Sequence, residues 1–190
     1  MPVRLVATRR FADARGWFTE SFNESRFAAA GITARFCQDN HSLSRSPGTL
    51  RGIHFQRAPH AQAKLVRCSR GRVFDVAVDL RRASPTFGKS VGVELSAEGG
   101  EQLFVPAGFG HAFLTLEPDC EVIYKVDAPY SVVSDAGVAW DDPMLAIAWP
   151  LGGSAPVLSQ KDQALPTLSV AECDFSYDGQ PLVPVTLELL

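Results

Sequence analysis

Along the chain, apolar and polar positions fall into short runs rich in β-branched and aromatic residues, broken by turn signals. The clearest runs cover residues 50–56, 63–68, 72–80, 90–95, 102–105, 111–116 and 121–126. Ser69-Arg70-Gly71, Ala97-Glu98-Gly99-Gly100 and Pro106-Ala107-Gly108 mark turns between them. Strands at this spacing, with one short helix ahead of them, predict an all-β antiparallel sandwich or barrel. The helix is expected over residues 24–30, with Asn23 as N-cap and Gly31 as its stop. It is too short to stand without tertiary packing, so it is expected to cap the sheet. Beyond Pro150 the pattern loosens into Gly, Pro, Ser and short charged pieces, expected to pack over the domain or against a second subunit.

Alternation assigns side chains to faces. It puts His111, Phe113 and Thr115 on one side of their run, Val122, Tyr124 and Val126 on one side of theirs, and Lys64 with Val66 and Cys68. Each polar residue in these rows has two readings. His111 and Tyr124 are either satisfied core groups or site groups, and Lys64 either snorkels to solvent or presents a fixed cation to an anionic intermediate. In GTLRGIHFQ, Arg51 and His54 are an odd number of residues apart, so strict alternation would separate them. A bulge at Gly52 would turn both toward one cavity.

Composition narrows the function classes. With 190 residues, 46% of them hydrophobic, the chain is long enough to bury a real core, in one domain or at most two small ones. A net charge of -3 without a basic stripe argues against nucleic acid, and Arg9-Arg10 and Arg81-Arg82 read as solvated pairs. Cys37, Cys68, Cys120 and Cys173 lie too far apart for a CxxC site or a dense disulfide framework, which fits the cytoplasm. No run suits a signal peptide or a membrane span. His41, His54, His60 and His111 form no HxH pair, so no metal is expected. GxSxG, GxGxxG and the P-loop are absent as well.

FADARGWFTESFN, QDNHSLSRSPGTLRGIHFQ, AKLVRCSRGRVFDVAVDLRRASPTFG, VPAGFGHAFLTL, YKVDAPYS, WDDPMLAIAWP and LSQKD, in this order along the chain, resemble the dTDP-4-dehydrorhamnose 3,5-epimerase family. The resemblance implies a cupin-like antiparallel jelly-roll barrel with a few short helices, forming a homodimer, with the active site in the barrel mouth. Residues 1–190 would form a single domain, its barrel core about 35–150 and its C-terminal segment about 151–190 packed on it. It implies a cofactor-independent isomerase acting on a dTDP-4-keto-6-deoxy sugar. His54 matches the base, Tyr124 the acid on the opposite face of the sugar, Asp162 the group that orients His54, and Lys64 the cation for the enolate. Arg15, Glu20, Gln38, Asn40, Arg51, His111 and Lys161 match positions that contact the sugar nucleotide, some of them across the dimer interface.

These roles agree with elementary chemistry. A proton beside a ketone is removed only if the enolate oxygen meets positive charge or a hydrogen-bond donor in a water-poor site. A histidine whose tautomer is fixed by a carboxylate suits that work near neutral pH. Arg51 is the first choice for the diphosphate, because a guanidinium takes two oxygens at once. Tyr130 is expected to stack on the base or the sugar, and Phe18 reads equally as a stacking or a packing residue. The chain departs from the family after Tyr130-Ser131: Asp135 stands where a longer glutamate is usual, which loosens the nucleotide contact expected there. Alternatives are a mono-epimerase acting at C3 or C5 alone, a sugar-nucleotide-binding module without catalysis, and a metal-dependent cupin.

Overall fold

The computed structural model describes residues 1–190. In chain order the strands are β1 Arg4–Ala7, β2 Arg10–Asp13, β3 Gly16–Thr19, β4 Gln38–Ser44, β5 Leu50–Gln56, β6 Lys64–Arg70, β7 Arg72–Asp79, β8 Ser90–Ser96, β9 Glu101–Val105, β10 Phe109–Thr115, β11 Cys120–Val126, β12 Asp135–Gly137 and β13 Leu187–Leu189. Helix α1 is Glu24–Ala29 and α2 is Gln160–Gln163. Asn23 caps α1 by accepting from the Arg26 N–H, as expected from the sequence. No helix is long and apolar enough to cross a membrane.

Two sheets face each other, one ordered β13-β1-β9-β6-β11-β4 and the other β12-β5-β10-β7-β8. Pairing is antiparallel except between β1 and β13. This is the expected cupin-like, all-β architecture. Its inner core follows from alternation: Val66, Cys68, Leu103, Val105, Cys120 and Val122 on the first sheet meet Val73, Ala77, Leu95, Phe109 and Phe113 on the second. Outside the second sheet, Ile53, Phe55, Val76, Val78, Leu80 and Ala112 lie beneath Leu168, Ala171 and Cys173 of the C-terminal segment. Outside the first, Leu65 and Phe104 lie beneath Phe27 of α1. Each fully buried side chain of this size contributes roughly 1.5–3 kcal/mol. Strands β7 and β10 are therefore largely apolar on both sides, and β6 and β9 over part of their length, and this is why they stand out in the sequence.

The inward rows are interrupted at one end of the barrel by Lys64, Asp75 and His111, which are all buried. β5 bends there. His54 pairs with His111 and Arg51 with Phe113, so between these pairs two residues of β5, Gly52 and Ile53, oppose one of β10, Ala112. Gly52 occupies the irregularity at φ +115°, and a Cβ there would stand 2.6 Å from the His111 carbonyl oxygen. Only glycine fits, and the bulge turns Arg51 and His54 toward the same space, as the spacing suggested.

Two expectations need correction. The Arg81 member of the Arg81-Arg82 pair is not solvated: it is 2% exposed. Its guanidinium forks onto both oxygens of buried Asp79, at 2.8 Å each, and bonds Asp178 at 2.7 Å. A fully buried carboxylate needs such a partner, and the strand end supplies it two residues on. Arg10 likewise stacks its guanidinium 4.0 Å from the Trp17 ring instead of standing in solvent. The turn written as Ser69-Arg70-Gly71 is also tighter than expected, since β6 and β7 run up to Gly71 from both sides.

Candidate active site

The polar end of the barrel opens into a cavity with two lobes that share His54, Lys64, Tyr124 and Lys161. One lobe, of about 170 Å³, adds Gln38, Asn40, Gln56, Gln62, Tyr130 and Asp135. The other, of about 280 Å³, adds Ser42, Arg51, His111, Phe113, Ser159 and Asp162. The sheets contribute to opposite walls: His54 and Arg51 come from β5, His111 from β10, and Lys64 and Tyr124 from β6 and β11.

His54 Nε2 lies 2.6 Å from Asp162 Oδ1. That carboxylate is 4% exposed and belongs to α2, a helix of four residues. Ser159 caps α2: its Oγ accepts from the Asp162 N–H at 3.1 Å and donates to Asp162 Oδ2 at 2.6 Å. Burial alone would raise the Asp162 pKa, but the bonds from His54 and Ser159 outweigh it and hold the group below the usual carboxylate range. With Nε2 committed to Asp162, Nδ1 is the ring nitrogen left to take a proton.

Lys64 Nζ donates to the His54 carbonyl at 3.3 Å, tying β6 to β5 across the cavity. Burial pushes its pKa down to about 8, against the pull of Asp75 and Asp135. His111 Nε2 sits 3.0 Å from each oxygen of Asp75. Burial lowers the His111 pKa, and Asp75 opposes the shift. Tyr124 is raised, mainly by burial, so the phenol keeps its proton around neutral pH. A base oriented by a carboxylate, a buried ammonium and a protonated phenol, set around one cavity, are the parts for moving protons on carbon beside a carbonyl.

The dTDP-4-dehydrorhamnose 3,5-epimerase family model matches residues 2–170. The chain belongs to that family. An enzyme of that name from Sinorhizobium fredii is 51% identical over 175 residues, covering 92% of this chain and 89% of its own length. The crystal structure of the Bacillus anthracis enzyme, with TDP and PPi bound, aligns at a TM-score of 0.84 and 49% identity, covering 87% of this chain and 93% of that one. A Legionella pneumophila 3,5-epimerase in complex with dTDP-4-keto-L-rhamnose aligns at 0.82 and 42% identity, covering 88% and 94%.

Measured against what membership implied, the cavity gathers His54, Lys64, Tyr124, Asp162, Gln38, Asn40, Arg51, His111, Tyr130, Asp135 and Lys161. Asp135 bonds the Tyr130 hydroxyl at 2.9 Å and pairs with Lys161. Arg51 is braced by the Ser44 hydroxyl at 3.1 Å and the Leu43 carbonyl at 3.2 Å. Arg15 and Glu20 are not brought into this chain's cavity. Arg15 stands at the tip of the β2–β3 hairpin, its side chain 90% exposed and paired with Asp13. Glu20 faces Asn23 and Arg26. Phe18, on the same hairpin, is 69% exposed and stacks on nothing in its own chain. Ser42, Gln56, Gln62, Phe113 and Ser159 line the cavity although the sequence did not single them out. Only Ser159 carried a signal, the S-x-x-D spacing of a capping box.

Proposed function

We propose that this chain epimerises C3 and C5 of dTDP-4-dehydro-6-deoxy-D-glucose, giving dTDP-4-dehydro-L-rhamnose for a separate reductase of dTDP-L-rhamnose synthesis. The observation that carries the reading is the pair of opposed proton carriers: His54 on one sheet and Tyr124 on the other, lining the same cavity. His54 Nδ1 removes the proton at C5, and the C–H electron pair moves toward the C4 carbonyl to leave an enolate on O4. Lys64 gives that oxygen its ammonium charge. Tyr124 then protonates the opposite face of the carbon, and the phenolate regains a proton while the imidazolium loses one. The same cycle at C3 completes the inversion. Inversion requires carriers on two faces, whereas exchange with retention needs one.

The Tyr124→Phe variant separates these steps. It is expected to keep washing solvent deuterium into the sugar within about fivefold of the wild-type rate while inverted product falls about 10²-fold. Equal loss of both would count against Tyr124 as the acid.

Lys64 also sets a limit in pH. Its protonated form is the active one and burial brings its pKa in the free chain down to about 8, so kcat/KM is expected to fall roughly tenfold per unit as pH rises above 8. Tyr124, being raised, stays protonated through this window. A kcat/KM that stays flat from pH 8 to 9.5 would remove Lys64 from the enolate step.

We also infer a homodimer of single-domain chains in the cytoplasm, and the residues outside the cavity support the dimer. β2 and β3 pair only with each other, and their hairpin exposes Phe11, Trp17 and Phe18 beside Arg15. A second copy would cover those rings and receive Arg15 near its own nucleotide. Sedimentation equilibrium is expected to give twice the chain mass, and a monomer with full activity would contradict the arrangement.

A further inference from the structure

Gln56 is the last residue of β5, two positions beyond His54 and on the same side of the strand. It is 4% exposed. Its side chain makes three hydrogen bonds, all to backbone. Nε2 donates to the His60 carbonyl at 2.7 Å and to the Pro129 carbonyl at 3.2 Å, and Oε1 accepts the Ser131 N–H at 2.7 Å. Both amide donors are thereby used, although the residue lines the cavity. The bonds to Pro129 and Ser131 hold the peptide units on either side of Tyr130. Tyr130 is 56% exposed; its hydroxyl donates to Asp135 at 2.9 Å and its N–H to Gln38 Oε1 at 3.2 Å, so it is held by polar bonds at its tip and backbone. The bond to His60 ties in the loop that leads to Lys64.

We infer that Gln56 is a positioning residue for nucleotide binding: one side-chain amide sets the Tyr130 ring against the strand that carries the base. The inference rests on the proposed function, in which the dTDP moiety lies against Tyr130.

The test uses dTDP as the probe in calorimetric titrations of the whole chain, alongside steady-state kinetics. Gln56→Met keeps the volume and removes all three bonds, and Gln56→Glu keeps the acceptor for Ser131 while losing both donors. Each is expected to raise the dTDP Kd and the substrate KM about tenfold while kcat stays within about twofold. In a Tyr130→Ala background, Gln56→Met should change the Kd by less than about twofold, because the residue acts through that ring. Folded variants with unchanged Kd, or the same loss with and without Tyr130, would overturn the inference, as would failure of both variants to fold. A wild-type chain that does not bind dTDP would overturn the functional reading and this one together.

Discussion

His54→Ala is expected to lower turnover by about 10³-fold, within the range general-base removal typically costs. No other group is placed to replace it. The carboxylate behind it, Asp162, is 4% exposed and held by Ser159, Gly52 and His54 itself. Truncation leaves Asp162 with one donor fewer, so a stability loss of about 1–3 kcal/mol should accompany the kinetic effect. Circular dichroism and a melting curve separate the two, because a folded variant at assay temperature isolates the chemistry. Binding of dTDP should be nearly unchanged, since the nucleotide meets other residues. A folded His54→Ala variant with turnover near wild type would remove the base from the account.

Lys64→Met is the second large effect, and its sign on stability makes it informative. Turnover is expected to fall about 10²–10³-fold, the usual loss when a charge that stabilises a developing oxyanion is removed. Stability should hold or rise. The wild-type ammonium is 8% exposed and has one hydrogen bond, at 3.3 Å, so burying it costs more than burying a thioether of similar length. Asp75 keeps His111 and Asp135 keeps Lys161 in the variant, which limits the charge left uncompensated. A melting temperature at or above wild type together with lost turnover would assign Lys64 to chemistry. A melting temperature well below wild type, with turnover within about fivefold, would assign it to structure.

The barrel was legible in the sequence wherever strands are apolar on the inward side, and most clearly in β7 and β10, which also carry apolar layers outside. β4 was not among the expected strands for a physical reason. Its inward positions are Gln38, Asn40 and Ser42, which line the cavity, so QDNHSLS shows no hydrophobic alternation. The feature that hid the strand is the feature that makes it part of the site. α2 was missed because four residues carry no period, and only its Ser159 cap marks it. The burial of Arg81 depends partly on Asp178, ninety-seven residues away, a partner that local pattern cannot supply.

The site was legible in a different way. Alternation and the Gly52 bulge brought Arg51, His54, Lys64, His111 and Tyr124 into consideration one by one. The structural reading had equal standing for Lys64, His111 and Tyr124, and for Arg51 and His54 it was the commoner one. Their proposed roles came from the resemblance of whole blocks to a family. The contact between His54 and Asp162 spans 108 residues and follows from neither period nor spacing. The clamp of Gln56 around Tyr130 was equally invisible, since its bonds go to backbone groups that every residue carries.

The most direct test of the central claim is proton exchange at the two carbons beside the ketone. Purified chain, freed of metal, is incubated with dTDP-4-dehydro-6-deoxy-D-glucose in deuterium oxide and followed by NMR. Deuterium entering at both C3 and C5, with product of inverted configuration at both, is the predicted result. Exchange at one carbon alone would make this a mono-epimerase, and exchange at neither would contradict the account.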